Sequence, residues 1–189
     1  MDFEKDITAC LTTLKSGGLI LYPTDTVWGL GCDATNEEAV NKIFLLKQRP
    51  ASKSMIVLVA EEKDVLKYTA STDLAVFDYL EKINKPTTVI FENAIGLAEN
   101  LLASDGSIAI RIARDEFCRH LIKRFRKPVV STSANISMQP TPVHFNQVSA
   151  GIKEGVDYIV QYRQDDLSPA VPSAIIKWNL DGTVSVIRE

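Results

Sequence analysis

Residues 18–47 read GLILYPTDTVWGLGCDATNEEAVNKIFLLK, and the class of fold turns on how this stretch divides. Gly18-Leu19-Ile20-Leu21 is a short apolar run that predicts a strand over 18–22. The far end is helical. Thr35-Asn36-Glu37-Glu38 has the spacing of a capping box, and Ala39, Val40, Ile43, Phe44 and Leu46 then fall on one apolar face as far as about Lys47. Between the two lies a loop with two threonines, two aspartates and two glycines. Strand, polar loop and amphipathic helix in succession form the unit from which α/β folds are assembled. The loop's composition fits a tight turn or a piece of core, and it also fits a ligand loop.

The same alternation extends outward. Phe3, Ile7, Cys10, Leu11 and Leu14 repeat at helical spacing until Gly17-Gly18 stops them, which predicts a helix over 3–14. Further strands are expected over 55–59, 87–91, 107–111, 128–131, 157–160, 173–176 and 183–186, with helices over 72–83, 115–125 and part of 144–152. This order predicts one α/β domain spanning 1–189, built on a mixed, partly parallel sheet with helices on its faces. No repeat or linker divides it, and Gln139-Pro140-Thr141-Pro142 is too short to separate domains.

A chain of 189 residues with 46% hydrophobic content can bury one core and would be cramped as two domains. Its net charge of -3 excludes a chain-wide basic character, so any polyanion site must be a local patch. Cys10, Cys32 and Cys118 are odd in number and widely spaced, and only His120 and His144 offer imidazole nitrogen. They argue against a disulfide framework or a zinc site and for a reducing compartment; no metal ligands are assigned. MDFEKDITACLTTLKSGG begins with acids and has no long apolar core, so neither a signal peptide nor a membrane span is expected, and the expected location is the cytoplasm.

Nucleotide signatures of the commonest kinds fail. No GxxxxGK[ST] occurs, and Gly29-Leu30-Gly31-Cys32-Asp33-Ala34 matches GxGxxA only formally. A dinucleotide fold wants an acid about twenty residues later, where this chain has Lys47, Arg49 and Lys53. Those cations, in KQRPASKS, suit either a solvated loop or an anion clamp, and charge alone does not choose. Ser131-Thr132-Ser133-Ala134-Asn135-Ile136-Ser137 suits either turn capping or donors aimed at a nucleotide. A serine nucleophile is disfavoured because no GxSxG elbow is present. Seven Lys and Arg between Arg111 and Lys127 face only Asp115 and Glu116; Arg111, at the end of a strand-like run, is placed to take a carboxylate bidentately.

Taken in order, PTDTVWGLG, KQRPASK, SIAIRI and STSANIS resemble the threonylcarbamoyl-AMP synthase family of the YrdC or TsaC type, over about residues 10–188. Any one of these motifs is weak alone; the pairing of KxR with a distant SxN is the specific part. The resemblance implies a single α/β domain with a twisted mixed sheet around a basic concave cleft. It implies an enzyme, in its short single-domain form, that makes threonylcarbamoyl-adenylate and pyrophosphate from ATP, bicarbonate and L-threonine. The product would pass to a tRNA threonylcarbamoyl-transfer complex. Magnesium would ride on the ATP phosphates with much of its water shell kept.

Matching motif by motif, the resemblance assigns Lys47 and Arg49 to the phosphates as the catalytic cations. Lys53, Ser107, Ser131, Ser133, Asn135 and Arg188 join Arg49 around ATP. Thr26, Arg111 and Ser173 receive threonine, Arg111 through its carboxylate. Tyr22 and Trp28 would wall the pocket, Gly29 and Gly31 would let the backbone turn closely, and Asp25 is left open between threonine's amine, a turn amide and no part at all. Ser54, Met138, Ala113, Ala174 and Asn84-Lys85-Pro86 depart from the family's pattern without removing a proposed phosphate contact. The rival reading is a non-catalytic module that binds tRNA or double-stranded RNA in the same basic cleft; a carbamoyl-adenylate enzyme with another acceptor would sit in a longer, cysteine-rich chain.

Overall fold

A computed structural model of the chain describes residues 3–50, 55–179 and 181–189. Helix α1 (Glu4–Lys15) leads into a hairpin of β1 (Ile20–Tyr22) and β2 (Gly29–Gly31), followed by α2 (Glu37–Leu46) and β3 (Ile56–Val59). Short α3 (Glu62–Val65) and α4 (Ala75–Glu81) precede β4 (Thr87–Phe91), β5 (Ile108–Ile112), α5 (Glu116–Phe125) and β6 (Val129–Ser133). Then come α6 (Ala150–Glu154), β7 (Tyr158–Ile159), β8 (Ala174–Trp178) and β9 (Val184–Arg188).

The strands form one nine-stranded sheet in the order β7-β1-β2-β6-β3-β5-β4-β8-β9. Pairs β1–β7, β3–β5 and β4–β8 run parallel and the other five antiparallel, so the mixed sheet expected from the alternation is present. Helix α1 packs on α5, where Phe3 meets Phe117 edge-on with ring centroids 5.5 Å apart. The α5 N-terminus is capped by the Asp115 carboxylate, which accepts from the Cys118 N–H at 2.9 Å.

Two local expectations change. The α2 cap is Asn36, whose side chain accepts from the Ala39 N–H at 3.1 Å, one residue later than a Thr35–Glu38 box would place it. More consequentially, Gly29-Leu30-Gly31 is not a turn. It is β2, paired antiparallel with β1 on one side and β6 on the other. Gly31 is needed there for space: a Cβ would lie 2.7 Å from the Tyr22 ring and 3.0 Å from the Val130 carbonyl oxygen. Tyr22 itself is fully buried and donates to the Val130 carbonyl at 3.1 Å, which makes it core.

Candidate active site

A cavity of about 370 Å³ opens against the central strands. Thr26 reaches it from the β1–β2 loop, Arg49 from just beyond α2, Ser107 from the residue before β5 and Arg111 from within β5. Ser131 and Ser133 come from β6, Ser173 from the residue before β8, and Arg188 from the end of β9. Residues spread over most of the sequence thus meet at one place because β2, β6, β3, β5, β4, β8 and β9 are successive neighbours in the sheet.

Arg49 is delivered by the way α2 ends. The Gln48 N–H donates to the Leu45 carbonyl at 3.0 Å and the Arg49 N–H to the Phe44 carbonyl at 2.9 Å, the double bond pattern of a Schellman cap. That cap requires a left-handed residue, and Gln48 supplies it at φ 49° where glycine is the usual choice. The turn sends Lys47 and Arg49 different ways. Lys47 is buried, and its ammonium donates to the carbonyls of Ser133 and, at 2.7 Å, Asn135. Burial, reinforced by the Arg49 charge, pulls the Lys47 ammonium down to about 7. Lys47, expected at the phosphates from KxR, is absent from the described lining of the cavity and fastens the α2 terminus to the end of β6.

Arg111 is buried within β5, and its Nη2 lies 2.9 Å from Asp25 Oδ1. The contact is an ion pair without hydrogen-bond alignment, since Asp25 Oδ1, Arg111 Nη2 and Arg111 Nε all lack a hydrogen-bond partner among the described residues. Asp25 Oδ2 accepts from the Arg114 N–H at 3.4 Å. Of the three parts left open for Asp25, the structure therefore shows an amide contact together with the guanidinium. Ser173 exchanges a hydrogen bond with Thr88 at 2.9 Å, and its carbonyl accepts from Arg188 Nε at 3.0 Å and Nη2 at 2.8 Å.

Two expected residues stand apart from the lining among the described residues. Lys47 is the first. Asn135 spends its amide N–H groups on the Ile136 and Gln139 carbonyls at 3.0 and 2.8 Å, closing the turn after β6. Lys53 lies outside the described residues. Trp28 also does not wall the main cavity: it lines an adjoining one of about 190 Å³ and packs on Phe145 at 4.8 Å. Thr132 and Thr141 line the main cavity without having been assigned. Thr132 sits between two chosen serines, so its neighbours were the signal; nothing local distinguishes Thr141.

Arg49, Arg111 and Arg188 are the charged residues of the lining, and no carboxylate joins them among the described residues. Burial lowers the pKa of Arg49, and burial followed by the Arg111 charge does the same for Arg188. Arg49 and Arg188 join Arg111 in the lining, and Arg111 already has the Asp25 carboxylate beside it. Their planar forks suit carboxylate and phosphate oxygens, and the surrounding hydroxyls can donate or accept. Burial pushes the thiols of Cys10, Cys32 and Cys118 up, so none is an activated nucleophile. Among the described residues no cluster of His, Cys, Asp and Glu could hold a metal ion, and no helix is long and apolar enough to cross a membrane.

Comparison with known proteins gives a consistent picture. A family model covering Sua5, YciO and YrdC proteins, described as "Telomere recombination", matches residues 12–189. A threonylcarbamoyl-AMP synthase of Pseudoalteromonas translucida is 30% identical over 187 residues, covering 97% of this chain and 98% of its own. One from Psychromonas ingrahamii is 36% identical over 154 residues, covering 79% and 80%. In fold, the chain is similar to P. abyssi Sua5 complexed with L-threonine, with a TM-score of 0.86 at 23% identity. That superposition covers 98% of this chain but 54% of the Sua5 chain, so this chain spans about half of that protein's length.

Proposed function

This chain belongs to the Sua5/YciO/YrdC family, and from that premise we propose that it is a threonylcarbamoyl-AMP synthase, converting ATP, bicarbonate and L-threonine to threonylcarbamoyl-adenylate and pyrophosphate. The observation that carries the reading is the cavity's composition among the described residues: three arginines, no carboxylate, and hydroxyls from Thr26, Ser131, Ser133 and Ser173. Threonine's amine combines with bicarbonate or carbon dioxide to give a carbamate. A carbamate oxygen then attacks the α-phosphorus and pyrophosphate leaves. No covalent enzyme intermediate is needed, so catalysis rests on holding the reactants in line and offsetting charge that moves onto the leaving group.

In this reading Arg49 and Arg188 face the phosphates. Ser107, Ser131 and Ser133 bond the nucleotide, and Arg111, Thr26 and Ser173 hold threonine. Lys53 belongs with the phosphate cations by motif alone. Lys47 becomes a positioning residue, because its ammonium is committed to the backbone of Ser133 and Asn135. Magnesium enters as part of the substrate, MgATP; the described lining offers it no carboxylate cage, and no step is assigned to it. The adenylate is a reactive mixed anhydride, suited to hand-over to a complex that modifies tRNA.

The test is pyrophosphate release by the purified protein with MgATP and bicarbonate, with and without L-threonine. The reading predicts release that depends on threonine. Release that ignores threonine, or none from folded protein, removes it.

A further inference from the structure

We infer that Asp25 is a positioning residue that holds the Arg111 guanidinium ready for the carboxylate of the amino-acid substrate. The inference rests on the proposed function and extends it to a side chain with no assigned part. Asp25 Oδ1 lies 2.9 Å from Arg111 Nη2, with both side chains at least nine-tenths buried. Yet Nη2 and Nε have no hydrogen-bond partner among the described residues. The Nε–Nη2 edge is the face of a guanidinium that takes a carboxylate side-on through two parallel N–H bonds. Asp25 therefore supplies a counter-charge to Arg111 without taking up the hydrogen bonds of Nε or Nη2. A buried charge without a partner would be costly and would turn towards water or another anion.

The loop holding Asp25 is braced for this purpose. Thr24 Oγ1 donates to the Val27 carbonyl at 2.8 Å and accepts from the Thr26 N–H at 3.1 Å. Arg163 donates to the Thr24 carbonyl and to Asp115 Oδ2, each at 2.9 Å, and the Cys118 thiol donates to the Pro23 carbonyl at 3.4 Å. Asp115 and Cys118 belong to the start of α5, which follows β5 and Arg111 directly. Both ends of the Asp25–Arg111 pair are thus tied to the same short stretch of chain. Thr26, next to Asp25, lines the main cavity, so the pair stands at its wall.

Calorimetric titration of L-threonine and of ATP, with KM measured for each, tests the assignment in wild type, Asp25→Asn and Asp25→Glu. Asp25→Asn keeps the shape and removes the charge; it should weaken threonine binding and raise its KM at least tenfold, leaving those for ATP within about twofold. Asp25→Glu, which restores the charge one methylene displaced, should recover part of the loss. A merely structural role would lower the melting temperature and the active fraction without changing the threonine KM. Should Asp25→Asn not fold, Asp25→Glu carries the test with a severalfold rise for threonine alone. Threonine affinity unchanged in both variants, or falling together with that for ATP, overturns the inference. If wild type makes the adenylate while the variants bind threonine normally, only this inference falls; if wild type binds no threonine, it falls with the proposed function.

Discussion

Replacing Lys47 with methionine separates two accounts of the same residue. Motif matching places the ammonium on phosphate, in which case Lys47→Met costs turnover and leaves stability alone. The structure places it on the carbonyls of Ser133 and Asn135. Methionine keeps most of the buried stem but leaves the Asn135 carbonyl without the ammonium, at about 1–3 kcal/mol, while the Ser133 carbonyl keeps the Asn135 N–H at 2.9 Å. A loss of about 2 kcal/mol in a chain of 189 residues lowers the melting temperature by roughly 4–8 °C. The loss should also depend on pH. Lys47 titrates at about 7 in the fold, against an ordinary lysine value of 10.5 in the unfolded chain. Between those values the unfolded state binds the extra proton, so wild-type stability rises with pH, by up to about 1.4 kcal/mol per unit. Lys47→Met lacks that contribution; its deficit is smallest below pH 7 and grows towards pH 9. Urea unfolding of both proteins at pH 6, 7, 8 and 9 measures it. Equal stability, or a deficit that does not change with pH, refutes the assignment.

Other perturbations follow from single contacts. Gln48→Gly should stabilise by about 0.5–1 kcal/mol in urea unfolding, because the left-handed conformation strains any residue with a Cβ; a loss would mean the glutamine side chain is needed. Gly31→Ala should destabilise by at least about 1–3 kcal/mol, since its methyl meets the Tyr22 ring at 2.7 Å with backbone behind it at 3.0 Å, and a wild-type unfolding midpoint would contradict the packing. Arg49→Ala should cut pyrophosphate release about a hundredfold or more; near-normal turnover would remove Arg49 from the phosphate site.

Much of this architecture is written locally in the chain. The apolar face of Ala39, Val40, Ile43 and Phe44, the β-branched run of β4 and the Asp115 cap of α5 each identify an element without help from the rest of the fold. Strand β2 is different. Three residues with glycine at both ends carry no periodicity, and only the close approach of Tyr22 and Val130 explains why glycine stands at 31. The site follows the same division. Residue types and order brought Thr26, Arg111, Ser131, Ser173 and Arg188 into one cavity, but direction was not legible. Lys47 and Arg49 are two residues apart and diverge because a Schellman turn separates them. The pairing of Asp25 with Arg111 depends on how the β1–β2 loop folds back over the start of α5, a contact between residues more than eighty positions apart.

The most direct test of the synthase reading uses purified protein, MgATP, L-threonine and ¹³C-labelled bicarbonate, with mass spectrometry of the products. The account predicts an adenylate that appears only with threonine and carries one labelled carbon between the amine and the phosphate. Folded protein that binds ATP but yields no such adenylate, or an adenylate free of the label, would contradict it.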